Sequence, residues 1–380
     1  MIEPLPQESY LDFMSKHHQG KTMLPMPSSA PAVDPRLAVI AQHQKTRAEE
    51  RNKRLELLKN IALERTSTVI GYVTASRGSI GAQVGADVIR LLREQLGSIG
   101  QVDKLDLVLI TRGGHTLTPL RLMSLLREFA KKVNVLVPYM AHSAGTLIAL
   151  GADEIVMGAM GELGPVDPSV ANQFNPILDP QDIQGTAQQK PRPRIPISVE
   201  DVTSYLNFAK SRAELDPAGM AQAHSALTNQ VHPLALGNIL RNHNLIRHLA
   251  KTLLLMHMNP ESDKDKLDAI VRKLTEELYA HDYTITRDEG VRIGLKIVKP
   301  SDQIEKDLWD LYQAYERFFG VDRQVNLAVE LGAEKQKYLC FDVAVLEGEN
   351  LMYSYCIKGS ALRKGVAEFE FNADAQGWEN

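Results

Sequence analysis

Cysteine is nearly absent from this sequence, in which only Cys340 and Cys356 occur among 380 residues. Two cysteines support neither a disulfide framework nor a zinc site built on cysteine pairs. Long apolar runs are also missing, since no window approaches the roughly eighteen consecutive apolar residues of a membrane-spanning helix. The first residues contain no basic stretch followed by an apolar one, so we expect no signal peptide and a cytoplasmic location.

A surplus of charge is missing as well. Lys and Arg together number 43, Asp and Glu number 47, and the net charge is −4. This balance gives no basic surface for nucleic acid, which we therefore exclude as a partner. The hydrophobic fraction of 44% is that of a soluble globular protein. The length predicts about two domains.

Composition changes along the chain and predicts five segments. The first is rich in Pro, Ser and Gln, and the second is charged with apolar residues at helical spacing. That charged helix is either exposed or bound to a partner, and a solvated charged face is the plainer interpretation. The predicted bounds are 1–34 for a disordered arm, 35–65 for an N-terminal helix, 66–215 for the core, 216–320 for a helical appendage and 321–380 for a C-terminal β-rich extension.

Strands and helices alternate in the predicted core. Apolar β-branched runs predict strands, and amphipathic patterns predict helices between them. Alternation at this spacing implies parallel pairing through crossover helices, and thus an α/β fold class. Further along, Ser198 and Asp201 form the pattern of a capping box and predict the start of another helix. The predicted strands are 68–74, 105–110, 133–137 and 154–157, and the predicted helices are 80–96 and 119–131.

A serine follows the third of these strands at a sharp junction with a helix. The turn His142-Ser143-Ala144-Gly145 comes directly after an apolar strand and before an apolar helix. The first N–H groups of a helix have no partner within it, so a serine hydroxyl there can attack a carbonyl while nearby amides receive the oxyanion. The alternative is that Ser143 only caps the helix, since serine is a preferred N-cap residue.

A Gly-Gly loop follows the preceding strand. Gly113 and Gly114 come after the strand 105–110, so this loop and the serine turn lie at the same edge of a parallel sheet. Glycine lets backbone N–H groups approach a ligand closely. The N–H groups of Gly114 and Ala144 are therefore candidate oxyanion donors beside Ser143, with Gly113 in the substrate-binding loop. The alternative is a pair of tight turns in which glycine serves geometry alone.

These motifs resemble a known family. The succession LVLITRGG, VNVLVPYMAHSAGTLIALG and GELGPVDPS resembles the Clp-protease/crotonase superfold, and within it the signal peptide peptidase A clan and its branch called the serine dehydrogenase proteinase family. The resemblance covers roughly residues 66–315 and implies a repeated ββα spiral core with a helical appendage. Beyond it, alternating apolar and polar residues in YLCFDVAVL and AEFEFN predict a small antiparallel C-terminal β extension. The resemblance assigns the nucleophile to Ser143 and the oxyanion donors to Gly114 and Ala144. Arg112 departs from the family pattern, which often has proline there, and adds a cation near the cleft.

A serine nucleophile needs a base, and the resemblance offers Lys190. The clan uses a lysine some forty to fifty residues after the serine, shortly before a helix, and Lys190 fits that position. Such a lysine acts as a base only if burial or neighbouring cations depress its pKa. Lys210, His232 and His142 are the alternatives, and the histidine of Clp-type peptidases has no counterpart here. Glu162 and Asp167 we interpret as shaping the cleft.

The sequence thus predicts an ATP-independent serine endopeptidase that needs no metal and no cofactor. The resemblance implies a peptide or protein substrate and a homo-oligomer, and contact with a membrane surface is left open. A non-catalytic binding or assembly protein on the same fold is one alternative. A crotonase-type acyl-CoA enzyme is another, although that chemistry would not need a serine at this turn.

Overall fold

The computed structural model describes residues 34–166, 173–177, 194–278, 280, 282–321 and 325–380. The chain divides into two compact units, Met1–Ala38 and Val39–Asn380. Of the first, only 34–38 are described. The helices are α1 Pro35–Arg65, α2 Val88–Ile99, α3 Thr118–Phe129, α4 Ala144–Leu150, α5 Val199–Ser211, α6 Pro217–Gln230, α7 Pro233–Leu254, α8 Lys264–Glu276, α9 Arg287–Ile293, α10 Asp302–Phe319 and α11 Leu327–Leu331. The strands are β1 Thr68–Thr74, β2 Ser76–Arg77, β3 Ile80–Gly81, β4 Val102–Ile110, β5 Ala130–Val137, β6 Met140–Ala141, β7 Glu154–Met157, β8 Glu162–Leu163, β9 Ile285–Thr286, β10 Ile297–Val298, β11 Gln336–Glu347, β12 Met352–Arg363 and β13 Phe369–Glu379.

An eight-stranded sheet forms the centre of the second unit, in the order β10-β7-β5-β4-β1-β11-β12-β13. The five strands from β10 to β1 are parallel, which confirms the predicted α/β pairing. The last three strands of the chain are antiparallel and continue the same sheet, because β11 pairs with β1. The C-terminal strands are therefore joined edge to edge with the core.

Both faces of the sheet are covered by helices. Along β4, Leu107 and Leu109 point into a cluster that includes residues of α2, α3, α4, α7 and α8, whereas Val108 and Ile110 point into a cluster with α1 and α10. Side chains alternate between the faces of a strand, so a strand buried on both sides reads as a continuous apolar run. This is why the runs were recognisable from the sequence.

The charged helix α1 packs on the sheet through its arginines. Arg54 is fully buried and its guanidinium binds the Glu347 carboxylate at 2.7 and 3.0 Å. Arg47 reaches the Asp342 carboxylate at 2.8 Å, and Arg65 binds Asp106. The interpretation of the charges as a solvated face is wrong for these arginines. Buried carboxylates on the sheet supply partners that the helix sequence alone does not reveal.

The helix predicted over 80–96 begins only at Val88. The residues before it form the short hairpin β2–β3, and Ile80 packs in a third cluster with Phe341 and Val343. Gly81 and Gly85 interrupt the segment and lower its helix propensity. A Cβ on Gly81 would also lie 2.9 Å from Ser76, so the tight hairpin needs glycine there.

The capping box predicted for the next segment is present at the start of α5. The Ser198 hydroxyl accepts from the Asp201 N–H at 3.0 Å, and the Asp201 carboxylate accepts from the Ser198 N–H at 3.0 Å. Within the described ranges, no helix combines the length and the apolar character needed to cross a bilayer. The arm predicted over 1–34 lies outside the described residues except for Asp34, and the bounds of the other segments as domains stay predictions.

Candidate active site

Ser143 occupies a strained turn between β6 and α4. Its φ is +52° and its ψ is −111°, a backbone conformation that residues other than glycine rarely adopt. Among the described residues only Thr66 and Glu214 share a positive φ without being glycine. Local strain of this kind costs about 1–3 kcal/mol and persists at functional turns such as nucleophile elbows.

The side chain of Ser143 does not cap its helix. Ser143 stands at the N-cap position of α4, but its hydroxyl accepts no hydrogen bond from the first turn. Only its carbonyl takes part, accepting from the Leu147 N–H at 3.0 Å. The capping alternative is therefore wrong, and the half-buried hydroxyl is left for another use.

The Gly-Gly loop lies against the serine turn, as the sheet edge predicts. Gly113 has a φ of +112°, and a Cβ added to it would lie 2.8 Å from the Cβ of Ser143. Gly114 has a φ of +152°, and its Cβ would lie 2.4 Å from the carbonyl oxygen of Val84. Both glycines are thus required by a positive φ and by close contact, and the loop backbone reaches the elbow because no side chain intervenes.

Two backbone N–H groups in the Gly-Gly loop and the serine turn have no hydrogen-bond partner among the described residues. The Gly113 N–H donates to the Thr111 hydroxyl at 3.0 Å, and the Gly145 N–H donates to the His142 carbonyl at 2.7 Å. Within the described part of the chain, the N–H groups of Gly114 and Ala144 have no hydrogen-bond partner. Unpaired N–H groups beside a serine hydroxyl are what an oxyanion requires.

The candidate general bases differ in where they lie and in what they contact. Lys190 lies outside the described residues, as does Asp167. Lys210 is exposed in the last turn of α5. His232 is engaged elsewhere, since its Nδ1 accepts from the Leu234 N–H at 3.1 Å and its ring stacks on Phe174 at 5.2 Å.

His142 contacts a carboxylate that the sequence did not reveal as its neighbour. Its Nε2 lies 3.1 Å from Oε1 of Glu162, which β8 places beside β6. A Cβ on Gly164 would lie 3.2 Å from the imidazole, so the glycine makes room for the ring. The Thr146 hydroxyl ties this loop to α4 by accepting from the Gly164 N–H at 3.1 Å. The GELG motif was the available signal, but its pairing with His142 depends on the β6–β8 contact.

A cavity of about 500 Å³ opens at the same edge of the sheet, between the ends of β1 and β4 and the helix α10. Arg112 lies on its wall directly before Gly113, and Tyr312, Tyr315 and Glu316 face it from α10. The hydroxyls of Thr74 and Thr111 bond at 2.7 Å across the two strand ends. Arg112, which stands where the family often has proline, therefore borders a cavity next to the Gly-Gly loop.

Known proteins match parts of this chain. Residues 37–185 match the model of the ClpP-like SDH-type serine proteinases. An uncharacterised protein of Methanocaldococcus jannaschii is 27% identical over 272 residues, which are 70% of this chain and 79% of that protein. A second uncharacterised protein of the same organism is 42% identical over 66 residues, 17% of this chain and 23% of that protein.

Two solved structures of a membrane-bound stomatin-specific protease are also similar. One is a serine-to-alanine mutant, 15% identical with a TM-score of 0.33, and covers 63% of this chain and 85% of its own. The other is a lysine-to-alanine mutant in complex with a substrate peptide, 16% identical with a TM-score of 0.33, covering 62% and 78%. The family match supports a serine peptidase with the Clp-like fold. Over residues 37–185 the chain thus matches the ClpP-like SDH-type serine proteinases, which confirms the resemblance that its motifs predict.

Proposed function

We propose that this protein is a serine endopeptidase that cleaves peptide bonds by acyl transfer to Ser143, without ATP. The observation that carries the proposal is the strained, uncapped Ser143 turn in contact with Gly113. In the first step the Ser143 hydroxyl oxygen bonds to the substrate carbonyl carbon, the peptide C–N bond breaks, and the leaving amine takes the serine proton. Water then attacks the ester, which releases the acid and restores the serine.

Gly114 and Ala144 are proposed to form the oxyanion hole with their N–H groups. Neither N–H group has a hydrogen-bond partner among the residues that the structure describes, which supports this assignment. The Gly113 N–H donates to the Thr111 hydroxyl, and the Gly113 carbonyl accepts from the Val84 N–H at 2.8 Å. Because both of these backbone groups are bonded, we do not assign Gly113 to the oxyanion hole. We assign it a role in substrate binding, through the close approach that the absence of a side chain allows.

Lys190 is proposed as the general base, on the family resemblance. The other candidates are less suited by their surroundings: Lys210 is exposed, and the Nδ1 of His232 already accepts from a helix N–H. His142 lies next to Ser143 but is paired with Glu162. A homo-oligomer and a cytoplasmic location also stay predictions, and light scattering of the purified protein tests the first.

Labelling by a fluorophosphonate probe tests the nucleophile. We expect the purified protein to be labelled once per chain, and Ser143→Ala to abolish labelling because the attacking oxygen is gone. Ser225→Ala is the matched control, since Ser225 is exposed on α6 and, among the described residues, its hydroxyl donates only to the Ala221 carbonyl. Labelling that persists in Ser143→Ala would remove Ser143 as the nucleophile. No labelling of the wild type between pH 6 and about 10 would favour a non-catalytic binding protein.

The same assay separates the candidate bases. We expect Lys190→Ala to lower the labelling rate by roughly 100-fold or more, the usual contribution of a general base, and Lys210→Ala to leave it unchanged. If Lys190→Ala keeps its rate while Lys210→Ala or His232→Gln loses it, the base is one of those residues. Circular dichroism of each variant establishes that the fold is kept.

A further inference from the structure

A histidine, an aspartate and a cysteine converge between α1 and the C-terminal strands. Nε2 of His43 lies 2.7 Å from Oδ2 of Asp342 and 3.9 Å from Sγ of Cys356. Asp342 and Cys356 are directly opposite each other on β11 and β12, and α1 supplies His43. All three potential ligand atoms lie within 4.8 Å of one another, and Asp342 and Cys356 are buried.

The carboxylate of Asp342 is held in a fixed orientation. Its Oδ1 accepts from Nη2 of Arg47 at 2.8 Å and from the Ser354 hydroxyl at 2.6 Å. Its Oδ2 lies 2.7 Å from Nε2 of His43 and accepts a longer bond, at 3.4 Å, from Nε of Arg47. Outer hydrogen bonds of this kind orient the ligands of metal sites. Arg47 and Ser354 thus fix the carboxylate, and Oδ2 is the oxygen nearest to His43.

Cys340 stands two residues before Asp342 on β11, and both cysteines are free. The group of three converging ligand atoms among the described residues does not include its thiol. Cys340 is therefore a neighbouring thiol against which the role of Cys356 can be compared.

The charges of the cluster allow a divalent ion to bind. Beside Asp342 and Glu379, the cluster holds three cationic side chains, His43, Arg47 and Lys358, and their contacts are ion pairs. A divalent ion that displaces one proton from the His43–Asp342 pair and one from Cys356 leaves the net charge of the cluster unchanged, so binding adds no net charge to a buried place.

We propose that His43, Asp342 and Cys356 bind one Zn²⁺ ion, with water as the fourth ligand. Imidazole nitrogen, carboxylate oxygen and thiolate sulfur are the usual ligands of four-coordinate zinc, with bond lengths of about 2.0–2.3 Å. Tetrahedral geometry at those lengths places ligand atoms about 3.3–3.8 Å apart. The His43 and Asp342 atoms need to open only slightly from 2.7 Å, and the 3.9 Å between His43 and Cys356 closes a little.

Binding replaces protons by the ion. The proton between His43 and Asp342 and the thiol proton of Cys356 leave, and no ligand is oxidised or reduced. Thiolates favour zinc over magnesium or calcium, which prefer oxygen ligands throughout. The bound ion would fasten α1 to β11 and β12, elements far apart in the chain.

Cobalt(II), which reports thiolate ligation through its colour, provides the test. Purified full-length protein is titrated with Co²⁺ anaerobically in a phosphine reductant, so that the thiols stay reduced. We expect one equivalent to produce thiolate-to-cobalt charge-transfer absorption with the visible bands of tetrahedral Co²⁺, and one equivalent of Zn²⁺ to abolish both. Absence of the charge-transfer absorption in the wild type at equimolar Co²⁺ would overturn the proposal without reference to any variant.

Variants locate the ion. His43→Gln and Cys356→Ser are expected to weaken binding by about 100-fold or more, since each removes a direct ligand. Cys340→Ser, which alters the neighbouring thiol outside the converging group, is expected to keep the charge-transfer absorption. His224→Gln, which alters an exposed histidine on α6, is the matched control and is expected to bind as the wild type does. Unchanged binding by His43→Gln and Cys356→Ser would place the ion elsewhere and overturn the assignment.

Stability gives an independent measurement. One equivalent of Zn²⁺ should raise the unfolding temperature of the wild type and of His224→Gln, and should leave that of His43→Gln unchanged, because an ion that binds only the folded chain stabilises it. An equal increase in His43→Gln would show that the ion acts at another place.

Discussion

Gly113 has a backbone conformation and surroundings that admit no side chain. Its φ of +112° disfavours any residue with a Cβ, and an added Cβ would lie 2.8 Å from that of Ser143 and 3.0 Å from the His142 carbonyl oxygen. Both of its backbone polar groups are bonded, so the residue cannot shift without breaking the contacts of Thr111 and Val84. The position of Ser143 thus depends on the absence of a Cβ at Gly113, which lies against it.

Gly113→Ala tests this dependence. We expect a loss of about 1–3 kcal/mol in the free energy of unfolding, the usual range for backbone strain, and a larger relative loss of fluorophosphonate labelling because Ser143 is displaced. Gly237→Ala is the matched control: Gly237 lies within α7, and an added Cβ would have no described atom within 4 Å apart from the adjacent backbone of its own helix. That control should keep labelling and gain up to about 1 kcal/mol from helix propensity. Normal labelling of Gly113→Ala would contradict the model of a close-packed elbow.

At the scale of elements, α1 is fastened to the sheet by buried ion pairs. Arg54 is fully buried against Glu347, and its guanidinium also lies 4.1 Å from the ring centroid of Phe318 on α10. Removing one member of a buried pair leaves the other charge unpaired in a dry place. The cost of that exceeds the net gain of the pair itself.

Arg54→Leu is therefore expected to lower the free energy of unfolding by about 3–5 kcal/mol. The double variant Arg54→Leu with Glu347→Leu should recover most of that loss, since no unpaired charge remains. Lys53→Ala, which breaks the exposed pair with Glu50 at 2.7 Å, is the control and should change stability by less than about 1 kcal/mol. Urea unfolding of the four proteins measures these differences. A double variant no more stable than Arg54→Leu would contradict the argument.

Two other elements, α4 and the end of α7, are joined by His257. Its Nε2 lies 3.0 Å from the carbonyl oxygen of Leu150, the last residue of α4. Burial lowers the pKa of His257 below its usual value, although the hydrogen bond to Leu150 acts in the opposite direction. The folded state therefore binds a proton less readily than the unfolded chain, and the stability contributed by neutral His257 is lost as the pH falls below about 6.5.

His257→Gln keeps an N–H donor but does not titrate. We expect the wild type to lose more stability than this variant when the pH falls from about 7 to about 5.5. In the wild type the unfolded chain takes up a proton at His257 more readily than the folded state does, whereas Gln takes up none in either state. Urea unfolding at the two pH values measures the difference, and comparison with the variant removes the contribution of other groups. Equal losses in both proteins would show that His257 does not couple folding to pH.

At the scale of the molecule, the C-terminal strands are part of the central sheet. Strand β11 pairs with β1 from Gly71 to Thr74, and the carbonyl of Val343 accepts from the Ala75 N–H at 2.8 Å. Without β11, the strand β1 would become an exposed edge, and Glu347 and Asp342 would no longer neutralise the arginines of α1.

A chain that ends after Lys335 is therefore expected to be insoluble or to lose its cooperative unfolding transition. A chain that ends after Lys364 lacks only β13. It should remain folded with lower stability, because β11 still pairs with β12, which becomes the edge strand of the sheet. Sedimentation of the expressed chains and thermal unfolding of the soluble ones distinguish these outcomes. A soluble, cooperatively folded chain ending after Lys335 would show that the core folds without its C-terminal strands.

Local patterns in the sequence determined the elements and the place of the serine. Apolar β-branched runs, helical spacing and the glycines after two successive strands predict the parallel core, the Ser143 turn and the Gly-Gly loop at one edge of the sheet, since each is a property of consecutive residues. The same reasoning extended α2 too far toward its N-terminus, because the hairpin before it is fixed by packing against β11.

Only the tertiary structure decided which groups meet across the chain. The arginines of α1 contact buried carboxylates, and His142 contacts Glu162. The N–H of Gly113 is bonded, whereas those of Gly114 and Ala144 have no partner in the described part of the chain. His43 likewise meets Asp342 and Cys356 some three hundred residues away, where cysteine spacing alone gave no sign of a metal site. Such contacts depend on strand order and on how helices cover the sheet, and no local periodicity encodes the partner of a single polar side chain.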